Sequence, residues 1–548
     1  MKLKFVLLFL LANLYLSAFA QKNKSSALLP RPKLVVGIMV DQMRWDFLYR
    51  YYDRYQNGGF KRMLNEGFTC ENTYIDYIPS VTGIGHTTVY TGSVPAIHGI
   101  AGNEFIEQTT GRSIYCAEDS TVQTVGSTNL TVGKMSPRNM LSTSITDELK
   151  LATNFRSKVI GIAIKDRGGI LPAGHSADAA YWFDGSTGNW VTSTYYMKEL
   201  PTWLKAFNDQ KLPEKYLKQD WNTLYPINTY LQSTADDSKY EGKFLGTTAP
   251  TLPLKTSQMM SRGVGMVSST PYGNSITLDL AKAAIDNEGL GSDAITDLLA
   301  ISFSSPDYIG HQFGPNSVEI EDTYLRLDRD IANLFDHLDV KVGKGNYSVF
   351  LTADHGVANN ANFLLDNKIP AGLYATGGLL QTLNNQLEKD YKTKNMVLSF
   401  GNYQVSLNNT AIAANKLNET DIRKKIIAFL QKQKEVAFAI DINEVQTASI
   451  PEVYRSKIIN GYNKERSGVI QIILKPGIYS GFSATGTTHG SLAPYDTHIP
   501  LLFMGWGIKS GKSNISYNMS DIASTVSALL RIQEPNGNIG KPITEVLK

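Results

Sequence analysis

The segment Leu298–His311 reads LLAISFSSPDYIGH, a short apolar run followed by an aspartate and a histidine. The run from Leu298 to Phe303 has the length and the residue types of a buried β-strand. Asp307 and His311 are four positions apart, so one helical turn would bring both side chains to the same side. The segment therefore predicts a strand that presents two polar side chains beyond its carboxyl end.

Four other apolar runs have the same character and are separated by longer stretches with helical periodicity. They are Leu34–Val40, Val159–Ile164, Tyr347–Thr352 and Ile499–Met504. This alternation predicts an α/β protein, with a central, mostly parallel sheet and helices on both faces. Helical periodicity is clear from Leu327 to Leu338, and Ser520-Asp521 is typical of the cap of a closing helix through Leu530.

Polar residues follow four of the five runs. Asp41 follows the first run, Lys165 and Arg167 follow the second, and Asp354-His355 follows the run at Tyr347–Thr352. In open α/β sheets, ligands bind beyond the carboxyl ends of the strands. The four runs therefore predict one site at one edge of the sheet.

The aspartates and histidines at this edge predict a two-metal site. Carboxylate and imidazole suit Zn²⁺, and a catalytic zinc ion usually keeps three protein ligands and an open position. Two divalent ions about 3.5 to 4 Å apart can stabilise the attacking and leaving oxygens of an in-line displacement, which is phosphoryl-transfer chemistry. The candidate ligands are Asp41, Asp307, His311, Asp354, His355 and His489.

A nucleophile is expected in the segment at 79–105, PSVTGIGHTTVYTGSVPAIHGIAGNEF. A helix that begins within it would favour an alkoxide through its dipole, and a nearby zinc ion would do the same. Thr82, Ser80, Thr87 and Thr88 are rivals on chemistry alone. Each hydroxyl could instead cap or pack a helix.

The first twenty residues differ from the rest of a chain that is 42% hydrophobic and 19% charged over 548 residues. Lys2 and Lys4 precede an apolar run that ends in Ala18-Phe19-Ala20, a small-x-small cleavage signal. This pattern predicts a signal peptide at 1–20, cleaved near Ala20/Gln21, and a periplasmic or secreted protein. An uncleaved anchor is the alternative, but spanning a bilayer takes about 20 apolar residues and this run is shorter.

Residues 21–548 are predicted to form a single catalytic domain. Irregular stretches at about 180–295 and 370–480 predict insertions, which could wall the site or only elaborate the surface. Loss of two lysines with the signal peptide lowers the formal charge from +3 to +1, and no block of like charge predicts nucleic-acid or membrane binding. Cys70 and Cys116 could form a disulfide in an exported protein or remain two buried thiols.

Five ordered motifs in this chain resemble those of the alkaline phosphatase superfamily of metal-dependent hydrolases. The resemblance covers residues 33 to 530, with 180–295 matched poorly. The motifs are VDQMRWD at 40–46, PSVTG with the following HGI and Asn103, SSPDYIGH, TADHG, and GTTHGS leading into HIPLLFMGWG.

The resemblance implies a role for each candidate residue. Asp307, His311 and His489 would hold one zinc ion, and the other would be held by Asp41, Asp354 and His355. It implies that Thr82 is both a ligand of the metal ions and the nucleophile, which forms a phospho-enzyme intermediate.

The chain is most similar to the phosphate-irrepressible periplasmic alkaline phosphatases, which use threonine and carry a Lys-x-Arg pair where this chain reads IKDRGG. The likeness implies that Lys165, Arg167 and Asn103 bind the phosphate oxygens, with Lys165 and Arg167 on one face of an extended chain. Spacing alone would equally fit a surface pair. In the threonine-type enzymes the lysine takes the space of a third, magnesium site, so two zinc ions and no magnesium are expected.

The function implied is that of a zinc-dependent alkaline phosphatase, acting as a monomer on a broad range of small-molecule phosphate monoesters. A phosphodiesterase or nucleotide pyrophosphatase of the same superfamily is the nearest alternative. Two positive charges suit a dianionic monoester better than a monoanionic diester. A catalytically silent zinc- or phosphate-binding protein would not need Thr82. A sulfatase would need an activated Cys or Ser in the nucleophile motif, and Cys70 lies outside that motif.

Overall fold

The structure is a computed structural model that describes residues 30–244, 246–481 and 483–548, so the predicted signal peptide lies outside the described residues. Its strands, in chain order, are β1 Leu34–Val40, β2 Phe68–Tyr74, β3 Glu104–Ile106, β4 Ser113–Tyr115, β5 Thr124–Val125, β6 Val159–Ala163, β7 Ala179–Asp184, β8 Asn189–Ser193, β9 Asp297–Phe303, β10 Tyr347–Thr352, β11 Gly372–Tyr374, β12 Val397–Ser399, β13 Gln404–Leu407, β14 Val436–Asp441, β15 Ile470–Leu474, β16 Ile478–Ser480, β17 His498–Ile499, β18 Leu501–Gly505 and β19 Gly511–Asn518.

The longer α-helices, in chain order, are α1 Thr82–Thr91, α2 Ile145–Ala152, α3 Asp166–Ala173, α4 Tyr272–Glu288, α5 Ser305–Phe313, α6 Val318–Leu338, α7 Gly377–Tyr391, α8 Glu419–Leu430, α9 Glu452–Gly461 and α10 Asp521–Leu530. Shorter α-helical segments are Phe47–Arg50, Phe60–Glu66, Pro95–His98, Thr202–Asn208, Leu212–Leu217, Thr256–Met259, Ala361–Asp366, Asn409–Ala414 and Pro494–Thr497. None of the helices in the described ranges is long and apolar enough to cross a membrane.

One large sheet organises the fold. Its strand order is β17-β2-β18-β10-β1-β9-β6-β7-β8-β5, and β19 pairs with β2 at the side. Strands β10, β1, β9, β6 and β7 are neighbours and all run parallel. The predicted α/β class with a mostly parallel centre is therefore confirmed. The four runs predicted to end at one edge are four of these adjacent strands.

The central strands β1, β9 and β10 are buried along their whole length. Each fully buried Val, Ile or Leu side chain contributes about 1.5 to 3 kcal/mol relative to an exposed one, so these runs fix the position of the sheet. Helix α1 packs directly on β1 at Gly37. A Cβ there would lie 2.1 Å from the Tyr90 hydroxyl oxygen and 2.5 Å from the Phe350 ring. Glycine therefore permits the close approach.

The fifth predicted strand differs in direction from the other four. The run at Ile499–Met504 is divided into β17 and β18, and β18 pairs antiparallel with β10. The chain has already reached the carboxyl edge of the sheet at His489, so it must run back across the sheet from that edge.

The predicted helices are present at the expected positions. The Leu327–Leu338 stripe lies within α6, and α10 begins at Asp521 and ends at Leu530. Ser520 precedes α10 but makes no capping hydrogen bond, because its hydroxyl donates to Asp76 instead.

The two predicted insertions have different structures. The first begins inside the sheet, because β7 and β8 belong to it, and α4 returns to pack against β9. Part of the stretch predicted as an insertion at 180–295 therefore belongs to the central sheet. In the second, β12, β13, β15 and β14 form a separate antiparallel sheet, against which α7 and α8 bury their own apolar cluster. Cys70 and Cys116 are both buried and free, so the disulfide alternative is not formed.

Candidate metal centre

The carboxyl ends of three adjacent central strands bring four predicted ligands together. Asp41 directly follows β1, and its backbone N–H donates to the carbonyl of Phe303 at the end of β9. Asp307 lies in the first turn of α5, and Asp354 and His355 follow β10. All four side chains are buried. Parallel strand ends thus build the site, as the sequence pattern predicts.

One group of candidate ligands is formed by Asp307, His311 and His489. Their ligand atoms lie within 4.8 Å of one another. Asp307 Oδ1 is 3.1 Å from His311 Nε2 and 3.6 Å from His489 Nε2. Helix α5 places Asp307 in its first turn and His311 in its last, one helical turn apart. The structure brings together all three residues that the resemblance assigns to one ion.

A second group contains Asp41 and His355, together with the Asp307 carboxylate. His355 Nε2 lies 3.6 Å from Asp41 Oδ1 and 3.4 Å from Asp354 Oδ2. Asp354 is therefore adjacent to the group, although its other oxygen, Oδ1, accepts the backbone N–H of Gln42. The His355 and His489 rings are stacked at 3.4 Å between their centroids, which joins the two groups.

All three histidines direct their Nε2 atoms to the carboxylates because Nδ1 is held by a backbone carbonyl. Nδ1 lies 2.9 Å from the Thr487 carbonyl in His311, 3.0 Å from the Gly356 carbonyl in His355 and 2.8 Å from the Ser80 carbonyl in His489. A carbonyl accepts only, so Nδ1 carries the proton and Nε2 keeps its lone pair. This orientation and tautomer are those of a metal-binding imidazole.

The chemistry of these donors fits a pair of metal ions. Asp41 Oδ1 and Asp354 Oδ2 are buried and have no hydrogen-bond partner among the described residues. Burial lowers the pKa of His355 to about 4 and also holds that of His489 well below its usual range. Both imidazoles are thus neutral, the state that binds metal. Burial, and then repulsion by the nearby Asp41 carboxylate, raises the pKa of Asp354. A bound cation would relieve this repulsion.

Thr82 is the first residue of α1, after Val81 in extended conformation. Its hydroxyl oxygen lies 3.4 Å from His355 Nε2. The side chain is 1% exposed, and the helix dipole adds positive potential at this terminus. Thr82 therefore lies at the second ligand group, with its oxygen directed to it.

The rival hydroxyls are engaged elsewhere. The Ser80 hydroxyl donates to the Ser491 carbonyl, and the Thr87 hydroxyl donates to the Gly83 carbonyl within α1. The Thr88 hydroxyl contacts His98. These are the packing roles that the sequence left open for them, and the geometry leaves Thr82 as the candidate nucleophile.

Lys165 is buried and contacts an aspartate of each ligand group. Its ammonium donates to Asp41 Oδ2 at 2.7 Å and to Asp307 Oδ2 at 2.5 Å. The spacing predicts that Lys165 and Arg167 share one face of an extended chain. They do not, because the chain turns into α3 at Asp166. Lys165 is the residue immediately before α3, so Arg167 already lies in the first turn of the helix.

Arg167 and Asn103 each keep donors free for a ligand. The Arg167 Nη1 donates to the Tyr115 hydroxyl, which in turn donates to Asp166, while the buried Nε has no partner. The Asn103 side-chain oxygen accepts the Gly83 backbone N–H at 2.7 Å, and its Nδ2 makes no hydrogen bond to the described residues. Asn103 thus lies at the start of α1, and Arg167 lies at the start of α3.

Two residues of the site were not predicted from the sequence. Gln42 has φ of 65° and donates from Nε2 to Asp307 at 2.6 Å, which supports that carboxylate. His86 Nδ1 lies 3.4 Å from Asp354 Oδ2. The only signal for Gln42 in the sequence is its position next to Asp41, because glutamine is not a preferred metal ligand.

Known proteins resemble this chain over almost its whole length. Residues 35–496 match the family described as type I phosphodiesterase / nucleotide pyrophosphatase. A Myroides odoratus protein named calcium-transporting ATPase is 56% identical, over 96% of each chain. Alkaline phosphatase PafA of Elizabethkingia meningoseptica is 51% identical, over 98% of each chain. The crystal structure of wild-type PafA matches with a TM-score of 0.93 at 51% identity, covering 95% of this chain and 100% of that one.

Proposed function

The chain belongs to the type I phosphodiesterase / nucleotide pyrophosphatase family, and from this premise we propose that it is a metal-dependent alkaline phosphatase that hydrolyses phosphate monoesters. The observation that carries the proposal is the position of Thr82, 3.4 Å from His355 Nε2 at a helix N-terminus. The likeness to PafA in sequence and structure supports monoester hydrolysis over diester hydrolysis.

The metal ions proposed are two zinc ions, without magnesium. Asp307, His311 and His489 would hold one, and the other would be held by Asp41, Asp354 and His355. When bound, the ions supply positive charge that favours the Thr82 alkoxide and stabilises the charge that develops on the attacking and leaving oxygens.

The reaction proceeds in two displacements at phosphorus. In the first, the Thr82 hydroxyl releases its proton to solvent and its oxygen forms a bond to phosphorus as the bond to the leaving alkoxide breaks, and the alkoxide takes a proton from water. In the second, water attacks the phosphothreonine, releases inorganic phosphate and returns the Thr82 hydroxyl.

Lys165, Arg167 and Asn103 would bind the non-bridging phosphate oxygens. An ammonium group has three donors, and Lys165 uses two of them on Asp41 and Asp307, so one remains. The Arg167 guanidinium can offer a fork of parallel N–H groups, which suits two oxygens of one phosphate. Two positive charges match a dianionic monoester better than a monoanionic diester.

The name of the Myroides relative refers to ATP hydrolysis and to calcium transport. A phosphatase that accepts terminal phosphate groups would also hydrolyse ATP, because the last phosphate of ATP offers the same dianionic end. ATP is therefore a useful substrate in the assay.

The decisive experiment compares an aryl phosphate, a bis-aryl phosphate and ATP as substrates of the purified protein, before and after chelation. We expect turnover of the monoester far above that of the diester, loss of activity on chelation, and recovery with zinc. No monoester turnover, or turnover that is indifferent to metal removal, contradicts the proposal.

The remaining parts of the proposal concern the whole protein. Export to the periplasm or medium after cleavage near Ala20 follows from the amino-terminal pattern. We also propose a monomer with one catalytic domain at 21–548, and the near-neutral formal charge gives no support to nucleic-acid binding. Amino-terminal sequencing and light scattering of the native protein test these points.

A further inference from the structure

The turn between β12 and β13 reaches from the second insertion to the candidate site. It contains Asn402 and Tyr403, consecutive residues with positive φ values of 59° and 56°. A positive φ is unfavourable for most residues other than glycine, and such strain persists only where the surrounding structure holds it. Strained residues of this kind are frequent at functional sites, so the contacts of the turn indicate what it does.

The Asn402 side chain contacts the backbone on both sides of Asn103. Its Nδ2 donates to the Glu104 carbonyl at 2.8 Å. A Cβ at Gly102 would lie 2.3 Å from the same nitrogen, so this glycine leaves the space that the amide occupies. The Asn103 side chain is held through its oxygen, which accepts the Gly83 N–H at 2.7 Å and leaves Nδ2 for a ligand. The direction of that Nδ2 therefore depends on backbone that Asn402 holds in place.

Tyr403 contacts the opposite wall of the site. Its ring lies against Gly490, the residue after the candidate ligand His489, because a Cβ at Gly490 would be 3.0 Å from the Tyr403 Cε2. The Tyr403 hydroxyl accepts the Ser480 N–H at 3.2 Å, which fixes the ring. One short turn thus contacts both the segment that carries Asn103 and the segment that carries a metal ligand.

Other residues of the second insertion hold the same segment at both of its ends. Arg466 Nη1 donates to the Gly99 carbonyl at 2.8 Å, and its guanidinium lies 5.2 Å from the centre of the Phe105 ring. The Gln108 N–H donates to the Glu465 carbonyl at 2.8 Å. The insertion therefore supports the backbone before and after the candidate phosphate ligand, and Asn402 is the contact nearest to it.

We propose that the second insertion is a functional part of the phosphate site and that Asn402 positions Asn103 for phosphate binding. This role rests on the proposed function, in which Asn103 donates to a phosphate oxygen. A hydrogen bond weakens steeply when its donor is misaligned, and a misplacement of about 1 Å can cost about a hundredfold in rate. Asn402 acts through the backbone beside Asn103 and not on the substrate, so it is a positioning residue.

Asparagine combines the two properties that Asn402 needs at this place in the turn. It tolerates a positive φ better than most residues, and its amide donates to the Glu104 carbonyl. Glycine has the first property only, so Asn402→Gly keeps the backbone of the turn and removes the donor. Asn395→Gly is the matched control, because Asn395 is an exposed asparagine of the same insertion with φ of 52°.

The test uses the zinc-loaded full chain and measures the dissociation constant of inorganic phosphate by titration calorimetry, together with kcat/KM for an aryl phosphate. Asn402→Gly should weaken phosphate binding and lower kcat/KM, each by about three- to tenfold, which is the effect of roughly one hydrogen bond. Zinc content should stay at the wild-type value, because the contacts of Asn402 are with Gly102 and Glu104. Asn395→Gly should match the wild type in all three measurements.

A double-mutant cycle separates positioning from a general structural role. Asn402→Gly is combined with Asn103→Ala, and phosphate binding is measured for both single variants and the double variant. If Asn402 acts through Asn103, it should add a loss of less than about twofold once the Asn103 amide is gone. A residue that only stabilises the fold would lower phosphate affinity by the same factor in both backgrounds.

Three outcomes overturn the proposal. One is phosphate binding by Asn402→Gly that is as tight as in the wild type. Another is an equal loss with and without the Asn103 amide. The third is an Asn402→Gly chain that loses zinc or does not fold, which would identify Asn402 as a structural residue. Failure of the proposed function gives a different result, since the wild type itself would then neither hydrolyse the aryl phosphate nor bind inorganic phosphate.

Discussion

At the scale of single residues, the site depends on which hydroxyl reaches the ligand groups. Thr82 alone among four rivals is directed to His355, while Ser80, Thr87 and Thr88 hydrogen-bond elsewhere. Sequence chemistry could not rank the four, because a hydroxyl has the same intrinsic reactivity at each position. Its position relative to the strand ends makes the difference, and that position is a property of the fold.

Replacing Thr82 by alanine should abolish the covalent intermediate and lower kcat by at least about a thousandfold, because the attacking oxygen is lost. Zinc content should stay near the wild-type value, since the six proposed ligands remain. The measurement is acid-quench labelling with a radioactive phosphate ester, alongside elemental analysis. Ser80→Ala is the control and should label normally; labelling that disappears in Ser80→Ala and persists in Thr82→Ala would reverse the assignment.

Replacing Arg167 by alanine should reduce kcat/KM for an aryl phosphate by about 100-fold or more, because a charge-assisted pair of hydrogen bonds to the dianion is lost. Hydrolysis of the bis-aryl phosphate should fall much less. Arg156→Ala serves as the control, since Arg156 is an exposed arginine that donates to the Thr153 carbonyl. Equal losses for the two substrates would contradict the proposed clamp.

At the scale of elements, α1 reaches the ligand groups because it carries glycine where it passes Asp354. A Cβ at Gly85 would lie 2.4 Å from the Asp354 carbonyl oxygen and 2.6 Å from its Cβ. The close approach of this helix to the end of β10 therefore has no room for a methyl group.

Gly85→Ala should consequently displace α1 from Asp354, destabilise the fold by roughly 1 to 3 kcal/mol and lower both zinc content and activity. Urea unfolding and elemental analysis are the measurements. Gly377→Ala is the matched control, because a Cβ at this helical glycine would meet nothing within 4 Å. The prediction fails if Gly85→Ala is as stable and as active as Gly377→Ala.

Much of the fold was predictable from the sequence because its central strands are buried on both faces. The runs at 34–40 and 347–352 coincide with β1 and β10. The reversal of β18 was not predictable, since an apolar run has the same pattern in either direction. The Lys165 and Arg167 geometry was missed because spacing alone does not reveal that α3 starts between them.

At the scale of the whole molecule, metal binding and folding are linked through the buried ligands. Removal of zinc leaves the buried Asp41 and Asp307 carboxylates paired with Lys165, and Asp354 with a buried oxygen that has no hydrogen-bond partner among the described residues. The free energy of unfolding should therefore fall when zinc is removed. The expected decrease is roughly 4 kcal/mol, compared with the protein at a free zinc concentration a thousandfold above Kd.

Scanning calorimetry with and without a chelator measures this difference as a lower melting temperature. Zinc should restore it and magnesium should not. An unchanged melting temperature after zinc has been removed, as verified by elemental analysis, would show that the buried ligands fold without it.

The hydrogen bond from His489 to the Ser80 carbonyl joins residues that are 409 positions apart in the chain. Contacts of such long range form late in folding, because the loop between them must close first. During synthesis Asp41 and Thr82 emerge long before His489, so a nascent chain has no complete binding site to fill. If the protein is exported unfolded, the choice of metal is made after translocation, and the composition of the outer compartment selects the cofactor.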